Sequence, residues 1–231
     1  MECLYNDNFD FNSTQINIIG DELKHLKALR LKLGDTVFVS NGNGLVVLAK
    51  IIDVEKNRNI LLVTDYYKNH NEPKHKKYLV ASILDSKDRY EFLLEKSVEL
   101  GVTDFIPLLS QRVQKTTINL NRLQSKAISA MKQCRRANKI LIYNPIKCND
   151  IINLTDNIDD VILLDMKENT DKKSIKGSSM FIVGPEGGFT DIELNNLIKM
   201  KNIQKWYLGK RRLRTETAAI MALSIGGYIN G

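Results

Sequence analysis

The 231-residue sequence lacks any apolar run that approaches the roughly 20 residues needed to cross a bilayer, and residues 1–11 are acidic and polar. It has only three cysteines, Cys3, Cys134 and Cys148, and no C-x-x-C pair among them. It also has only three histidines and no H-E-x-x-H motif. These absences argue against a membrane protein, a disulfide framework and a zinc site. We therefore expect a cytoplasmic protein with no metal and no membrane partner.

Positive charge is in excess, and it is unevenly distributed along the chain. The formal net charge is +7. Residues 1–72 carry 8 basic and 10 acidic side chains, whereas residues 73–231 carry 26 basic and 17 acidic ones. A basic excess confined to one part of the chain favours a polyanionic partner such as nucleic acid. A solvated basic surface explains the net charge equally well.

The hydrophobic pattern changes near residue 72. Before it, the sequence predicts one helix at residues 21–33 and three strands at residues 36–40, 45–54 and 59–66. A polar stretch at residues 68–77, which contains Pro73, follows these elements. Beyond it, strands alternate with helices, and the last of these strands is predicted at residues 206–208. This alternation is typical of an α/β domain on a parallel sheet. We predict a β-rich domain over residues 1–72 and an α/β domain over residues 73–231.

Two loops at the ends of predicted strands contain unusual residues, and ligands of open α/β sheets bind at such ends. The loop at residues 184–189 has three glycines in five residues, which lets a ligand approach main-chain amides. Thr190 and Glu193 form a capping box after it. The loop at residues 208–214 has four basic residues before a helix with Thr215 as its predicted N-cap. Neither loop matches a phosphate-binding fingerprint. On local chemistry alone, a glycine-rich loop of this kind is more often a plain strand-to-helix turn than a ligand-binding loop.

These loops belong to a series of motifs that spans nearly the whole chain. In order, the series comprises His25 with Leu29 and Arg30, residues 94–102, Ser110-Gln111-Arg112, Gln133-Cys134-Arg135-Arg136, residues 184–188 with Glu193, and residues 208–209 with 213–218. The series resembles the RsmE family, whose members methylate N3 of one uridine in the decoding region of 16S ribosomal RNA. Two positions depart from the family pattern. Gln111 and Lys132 each stand where the family has Glu, and both changes remove negative charge from the expected RNA face.

The resemblance implies a fold that no topology rule predicts. It implies an N-terminal PUA-like β-barrel and a C-terminal SPOUT domain, which is an α/β domain with a trefoil knot on a mostly parallel sheet. It also implies that S-adenosylmethionine lies in the knot, held largely by main-chain groups. The matching positions are Leu164, Gly184, Pro185, Glu186, Gly187, Gly188, Leu208, Gly209, Leu213, Thr215, Thr217 and Ala218. Finally, the resemblance implies a homodimer that acts on 16S rRNA of the small ribosomal subunit.

Methylation at uridine N3 needs the loss of a ring proton, because the protonated nitrogen is a poor nucleophile. Arg214 is the candidate for stabilising the deprotonated ring, since an arginine is always charged. Glu186 and Glu216 are the candidates for removing the proton. The candidate RNA-binding residues are Lys27, Arg30, Arg112, Arg135, Arg136, Arg211 and Arg212.

Two other functions stay open on the sequence. A SPOUT methyltransferase that acts on another RNA position, including the ribose 2′-hydroxyl, would share the fold. The N-x-x-G-N-x-G stretch by which the 2′-hydroxyl enzymes resemble one another is absent. A non-catalytic RNA-binding protein of ribosome assembly is the other alternative. Intact Gly184, Gly187, Gly188 and Arg214 count against that one.

Overall fold

The computed structural model describes residues 2–166 and 174–230. The chain divides into two compact units, of which one contains Met1–Glu72 and Ile128–Lys139 and the other contains Pro73–Ala127 and Ile140–Gly231. Residues 128–139 belong to the first unit, which the sequence does not predict. The domain bounds at residues 1–72 and 73–231 stay a prediction. Among the described residues, no helix is both long and apolar enough to cross a membrane.

The first unit is built on a five-stranded sheet with one helix. Its strands are β1 (Cys3–Tyr5), β2 (Gln15–Ile18), β3 (Thr36–Ser40), β4 (Leu45–Val54) and β5 (Asn59–Lys68), and its helix is α1 (Gly20–Ala28). The sheet order is β1-β3-β4-β5-β2, with β1 parallel to β3 and the other pairs antiparallel. Val37, Val47 and Leu61 of the sheet are buried, and they form one core with Leu26 of α1. The predicted β-rich character is confirmed.

The turn between β3 and β4 lies where the sequence predicts it. Gly42 and Gly44 adopt positive φ values of 67° and 89°, which residues without a Cβ tolerate best. The side-chain oxygen of Asn41 accepts hydrogen bonds from the backbone N–H groups of Asn43 (2.8 Å) and Leu45 (3.1 Å). Asparagine and glycine therefore close this hairpin through the chemistry that makes them turn residues.

The second unit is built on a parallel sheet flanked by helices. Its strands are β6 (Lys77–Ser82), β7 (Asp104–Leu109), β8 (Leu141–Ile142), β9 (Ile146–Lys147), β10 (Asp160–Leu164), β11 (Ser179–Val183) and β12 (Ile203–Trp206). Its helices are α2 (Lys87–Glu99), the first part of α3 (Leu120–Cys134), a 3-10 helix (Cys148–Leu154), α4 (Asp191–Leu197) and α5 (Thr215–Asn230). The order is β12-β10-β11-β6-β7-β8, β9 also pairs with β7, and every pairing is parallel. The predicted α/β class is confirmed.

The strand order places three loops at one edge of this sheet. β10 lies between β11 and β12, and all three strands run in the same direction. Their carboxyl ends, at Leu164, Val183 and Trp206, are therefore neighbours. The loops that leave these ends converge where open α/β sheets bind ligands.

Three predicted elements have other bounds in the structure. The strand predicted at residues 59–66 extends to Lys68. Helix α1 ends at Ala28 rather than at residue 33, because Arg30 adopts a φ of 57°, which a right-handed helix does not continue. The strand predicted at residues 206–208 lies instead at Ile203–Trp206. It ends there because its partner β10 ends opposite Trp206.

Candidate active site

The loops after β10, β11 and β12 enclose a cavity of about 260 Å³. Eleven of the twelve residues predicted to hold the cofactor line this cavity, namely Leu164, Gly184, Pro185, Glu186, Gly187, Gly188, Leu208, Gly209, Leu213, Thr215 and Ala218. The twelfth, Thr217, is exposed and is not among the lining residues. Apolar side chains of Met166, Phe189 and Leu194 complete the walls. We call this space the loop cavity.

The glycine-rich loop at residues 184–188 needs its glycines for two different reasons. A Cβ on Gly184 would stand 2.9 Å from the ring of Phe189, so no larger residue fits there without moving that ring. Gly188 adopts a φ of 72°, and its N–H donates to the carbonyl oxygen of Pro185 at 2.8 Å. The loop is therefore a tight turn packed beneath an aromatic side chain.

Glu193 connects this loop to the segment that follows β7. The predicted capping box is present, because the Thr190 hydroxyl accepts from the Glu193 N–H (3.3 Å) and Glu193 Oε2 accepts from the Thr190 N–H (2.8 Å). The other carboxylate oxygen, Oε1, accepts from the backbone N–H of Gln111 at 2.8 Å. The buried Glu193 carboxylate therefore connects the start of α4 to the segment that follows β7.

Arg89 joins the site from α2, and sequence reasoning missed it. The Ser86 hydroxyl caps this helix by accepting from the Arg89 N–H at 3.4 Å. The Arg89 guanidinium donates to Glu216 Oε1 from Nε (2.8 Å) and to Glu216 Oε2 from Nη2 (2.6 Å). Its Nη1 lies 2.5 Å from Oε1 of Glu186. A single cation therefore links the glycine-rich loop to the first turn of α5.

This ion pair sets the acid–base state of Glu216, whose side chain is only 10% exposed. Burial is the largest single influence and would by itself raise the pKa of the carboxyl group. The hydrogen bonds from Arg89, a backbone hydrogen bond and the charges of Arg89 and Arg214 together outweigh burial, so the pKa of Glu216 lies below its ordinary value. The hydrogen bonds to Glu216 in turn raise the pKa of Arg89. Glu216 is therefore an ionised but weak base at neutral pH. Glu186, with 55% of its side chain exposed, is the more accessible carboxylate.

Arg214 is exposed and lies between two lining residues, Leu213 and Thr215, without lining the loop cavity itself. Thr215 is the first residue of α5, and its hydroxyl donates to the carbonyl oxygen of Gly184 at 3.1 Å. The prediction that Thr215 is the N-cap is therefore wrong. The bond to Gly184 instead holds the start of α5 against the glycine-rich loop.

Three of the predicted RNA-binding cations, Arg112, Arg211 and Arg212, line the loop cavity and are exposed. Arg112 Nη1 donates to the carbonyl oxygen of Gly187 at 2.6 Å. Arg212 Nη2 donates to the carbonyl oxygen of Glu186 at 2.7 Å. Positive charge therefore surrounds the carbonyl groups of the glycine-rich loop.

The other four predicted RNA-binding residues lie in the first unit and differ in accessibility. Lys27 and Arg30 are exposed, and Arg135 is half-buried. Arg136 is only 2% exposed, and its Nη2 lies 2.8 Å from Oε2 of Glu72. A guanidinium buried in an ion pair is not available to a nucleic acid, so the prediction for Arg136 is wrong. Its role is structural.

The two departures from the family pattern each have a local explanation. The Lys132 ammonium lies 2.6 Å from Oε1 of Glu22, so its charge is compensated within the first unit. Gln111 contributes its backbone N–H to Glu193, and its side chain is exposed. Neither substitution disturbs the loop cavity.

Two protein-family models match the chain. One, described as an RNA methyltransferase domain, matches residues 71–226. The other, described as an RNA methyltransferase PUA domain, matches residues 18–63. The two matches follow one another along the chain, as the β-rich and α/β parts do. The PUA-like class predicted for the first part is confirmed.

Similar proteins share this arrangement over most of their length. Two relatives named ribosomal RNA small subunit methyltransferase E, from Rickettsia conorii and Mesomycoplasma hyopneumoniae, are 30% and 31% identical. The alignments cover 92% and 87% of this chain and 89% of each relative. A crystal structure of a protein with that name from Neisseria gonorrhoeae, described as bound to S-adenosyl methionine, is similar with a TM-score of 0.86 and 28% identity. It covers 97% of this chain and 96% of that one.

Proposed function

The chain belongs to the ribosomal RNA small subunit methyltransferase E family, and we propose that it methylates N3 of a uridine in the decoding region of 16S rRNA, with S-adenosylmethionine as the donor. Methylation of ribosomal RNA is the activity of this family. The proposal goes beyond the family's activity in naming the target atom, N3, and the decoding region. One observation carries the proposal: eleven residues from three distant segments of sequence, Glu186 among them, meet around a single cavity beside Arg214.

The groups around the loop cavity fit S-adenosylmethionine. Gly188 and Gly209 adopt φ values of 72° and 114°, and no atom lies within 4 Å of the point where a Cβ would stand at either position. Main-chain groups there are open to a ligand. Leu164, Leu213 and Phe189 supply apolar surface of the kind that lines cofactor sites. The relative from Neisseria gonorrhoeae, which holds this cofactor, supports the assignment.

The residues that would hold the cofactor are the eleven that line the loop cavity. When bound, S-adenosylmethionine supplies a methyl group on a sulfonium sulfur, and the carbon–sulfur bond breaks as the bond to N3 forms. Thr215 fixes the distance between α5 and the glycine-rich loop through its bond to Gly184. Arg89 holds the same two segments together from α2. These contacts preorganise the cavity so that the donor and the uridine need little rearrangement.

The uridine N3–H must lose its proton before nitrogen can act as the nucleophile. We propose that the positive charge of Arg214 stabilises the ring that has lost this proton. Glu186 is the better placed of the two carboxylates to accept the proton, since most of its side chain is exposed. Glu216 is held by two hydrogen bonds from Arg89 and serves to position α5. N3 pairs with adenine in a duplex, so the target uridine has to be unpaired.

The partner in this proposal is 16S rRNA in the small ribosomal subunit, and the protein acts as a cytoplasmic homodimer. Exposed Lys27 and Arg30 in the first unit and Arg112, Arg211 and Arg212 in the second are the cations that we propose contact the RNA. Phosphate contacts of this kind supply affinity without sequence information.

Undermodified small ribosomal subunits and naked 16S rRNA, each incubated with the protein and S-adenosylmethionine, test the function. We expect 3-methyluridine in the nuclease digest, detected by nucleoside mass spectrometry. A 2′-O-methyl nucleoside would show that the fold is right and the target atom wrong. No cofactor binding at all would favour the assembly-protein alternative.

A further inference from the structure

The second unit contains another cavity, of about 370 Å³, which shares no lining residue with the loop cavity. It lies between the first turns of α2 and α3 and the segment that precedes α3. Its apolar lining comes from Leu84, Tyr90, Ile118 and Leu123. We call it the α2–α3 cavity. Nothing in the methyl-transfer chemistry requires it.

The charges around the α2–α3 cavity are mainly positive. Three of its lining residues, Lys87, Lys115 and Arg122, are cations, and Glu91 is its one acidic lining residue. Glu91 is already paired, since Arg122 donates to it from both Nε and Nη2, the second at 2.9 Å. Among the described residues, no carboxylate oxygen lies within 4.0 Å of the Lys87 or Lys115 ammonium group. Neither lysine is therefore held in an ion pair, although the charge of Lys87 helps to lower the pKa of Glu91.

The backbone adds to this positive character. α2 and α3, of 13 and 15 residues, both begin at the rim, so the positive ends of two helix dipoles border the same space. Cations around an apolar floor suit a nucleotide, because its phosphate needs the charges and its base needs the apolar surface.

The position of the α2–α3 cavity relative to the loop cavity favours RNA as the occupant. Arg89, which binds Glu186 and Glu216, belongs to the same turn of α2 as Lys87. On the other wall, Arg112 lines the loop cavity and Lys115 lines the α2–α3 cavity. Three residues span at most about 11 Å, so the two cavities are neighbours along this segment. An RNA strand whose target base lies beside the cofactor at the loop cavity therefore has adjacent nucleotides near the α2–α3 cavity.

We infer that the α2–α3 cavity binds a nucleotide of the substrate RNA next to the target uridine, with Lys87 and Lys115 at the phosphates and the apolar floor against the base. This inference rests on the proposed RNA substrate and adds a subsite to it. The cavity positions the strand and takes no part in bond making. Its contribution is to RNA affinity.

A double variant, Lys87→Ala with Lys115→Ala, tests the subsite, and Lys199→Ala with Lys201→Ala is the matched control. The control removes the same charge from exposed positions in the same unit that line neither cavity. We expect the KM for RNA to rise about tenfold in the double variant, with kcat and the Kd of S-adenosylmethionine within twofold of wild type. The slope of log Kd against log salt for naked 16S rRNA should fall by about 1.4, the value for two lost single-strand phosphate contacts. The control variant should change neither the KM for RNA nor the salt slope.

Wild-type protein in the same assays distinguishes failure of the subsite from failure of the proposed function. If wild type methylates rRNA and the double variant matches the control in KM and salt slope, the subsite is wrong and the proposed function stands. If wild type does not methylate rRNA, the function itself fails. The double variant could instead lose activity only with assembled subunits, while its affinity and salt slope for naked RNA stay unchanged. That result would indicate that the cavity binds an acidic protein segment, and it would overturn the inference.

Discussion

Arg89 and Glu216 are joined by two hydrogen bonds, of 2.8 Å and 2.6 Å, although 127 residues separate them in sequence. The geometry uses both carboxylate oxygens, which is the strongest form of an arginine–carboxylate pair. Because Arg89 also reaches Glu186, the pair ties α2 to both segments that carry the predicted catalytic groups. The acid–base chemistry of the site therefore depends on a residue of α2 that the family motifs do not include.

Replacement of Arg89 by alanine should lower the free energy of unfolding by about 2 kcal/mol, because it leaves the buried Glu216 carboxylate without its donor. The Kd for S-adenosylmethionine should rise, since the glycine-rich loop loses its link to α2. Urea unfolding and calorimetric titration measure the two effects. A double variant with Glu216→Gln should recover part of the lost stability. If the two substitutions are simply additive, the residues are not coupled.

The lowered pKa of Glu216 predicts how this pair responds to pH. A carboxyl group whose pKa is lower in the folded state than its ordinary value of 4.5 stabilises the fold above that value. The stabilisation is lost as the pH falls from about 4.5 through the folded-state pKa. The difference in unfolding free energy between wild type and Glu216→Gln should therefore be constant above about pH 5.5 and shrink below pH 4.5. A difference that does not vary with pH would contradict the assigned pKa direction.

Gly184→Ala should weaken S-adenosylmethionine binding at least tenfold, because the added Cβ would meet the Phe189 ring at 2.9 Å and shift the cavity wall. Gly34→Ala in the first unit is the control. Gly34 has a φ of 93° and open space at the Cβ position, so it should lose about 1 kcal/mol of stability without any change in cofactor affinity. Equal cofactor affinity in the two variants would show that Gly184 does not shape the binding site.

Arg214→Ala should abolish methyl transfer while the Kd of S-adenosylmethionine stays within about tenfold, or 1.4 kcal/mol. The reason is that Arg214 is exposed beside the loop cavity and does not line it. Lys210→Ala, which removes another exposed cation from the same loop, is the control and should keep its activity. Single-turnover rates with saturating cofactor measure the difference. Full activity of Arg214→Ala would remove this residue from the mechanism.

Arg136→Ala should destabilise the protein by about 3 kcal/mol, since it leaves the Glu72 carboxylate buried without its cation. The exposed ion pair of Arg58 with Glu55 offers a control, and Arg58→Ala should have little effect on stability. Thermal unfolding of both variants makes the comparison. Weaker RNA binding by a stable, well-folded Arg136→Ala protein would restore Arg136 as an RNA contact.

The sequence predicted the parts of this protein that depend on local pattern or on family motifs. β3 and β4 lie at their predicted bounds, because β-branched runs and an Asn-Gly turn are local signals. Eleven of the twelve predicted residues line the loop cavity, because the family resemblance identified them one by one. The short strands β1 and β2 were not predicted, since three or four residues carry too little periodicity.

Long-range contacts account for what the sequence could not predict. Nothing near Arg89 in sequence indicates two carboxylates on other elements. The burial of Arg136 against Glu72 is equally invisible, because residues 128–139 return to the first unit from the middle of a continuous helix. In both cases the charge of the side chain was evident and its partner was not.

The position of the transferred methyl group is the most direct test of the account. Undermodified small subunits, incubated with the protein and S-adenosylmethionine that carries a deuterated methyl group, can be digested to nucleosides and analysed by tandem mass spectrometry. We expect one labelled nucleoside, 3-methyluridine, with the label on the base fragment. A labelled ribose fragment, or a label on a base other than uracil, would contradict it.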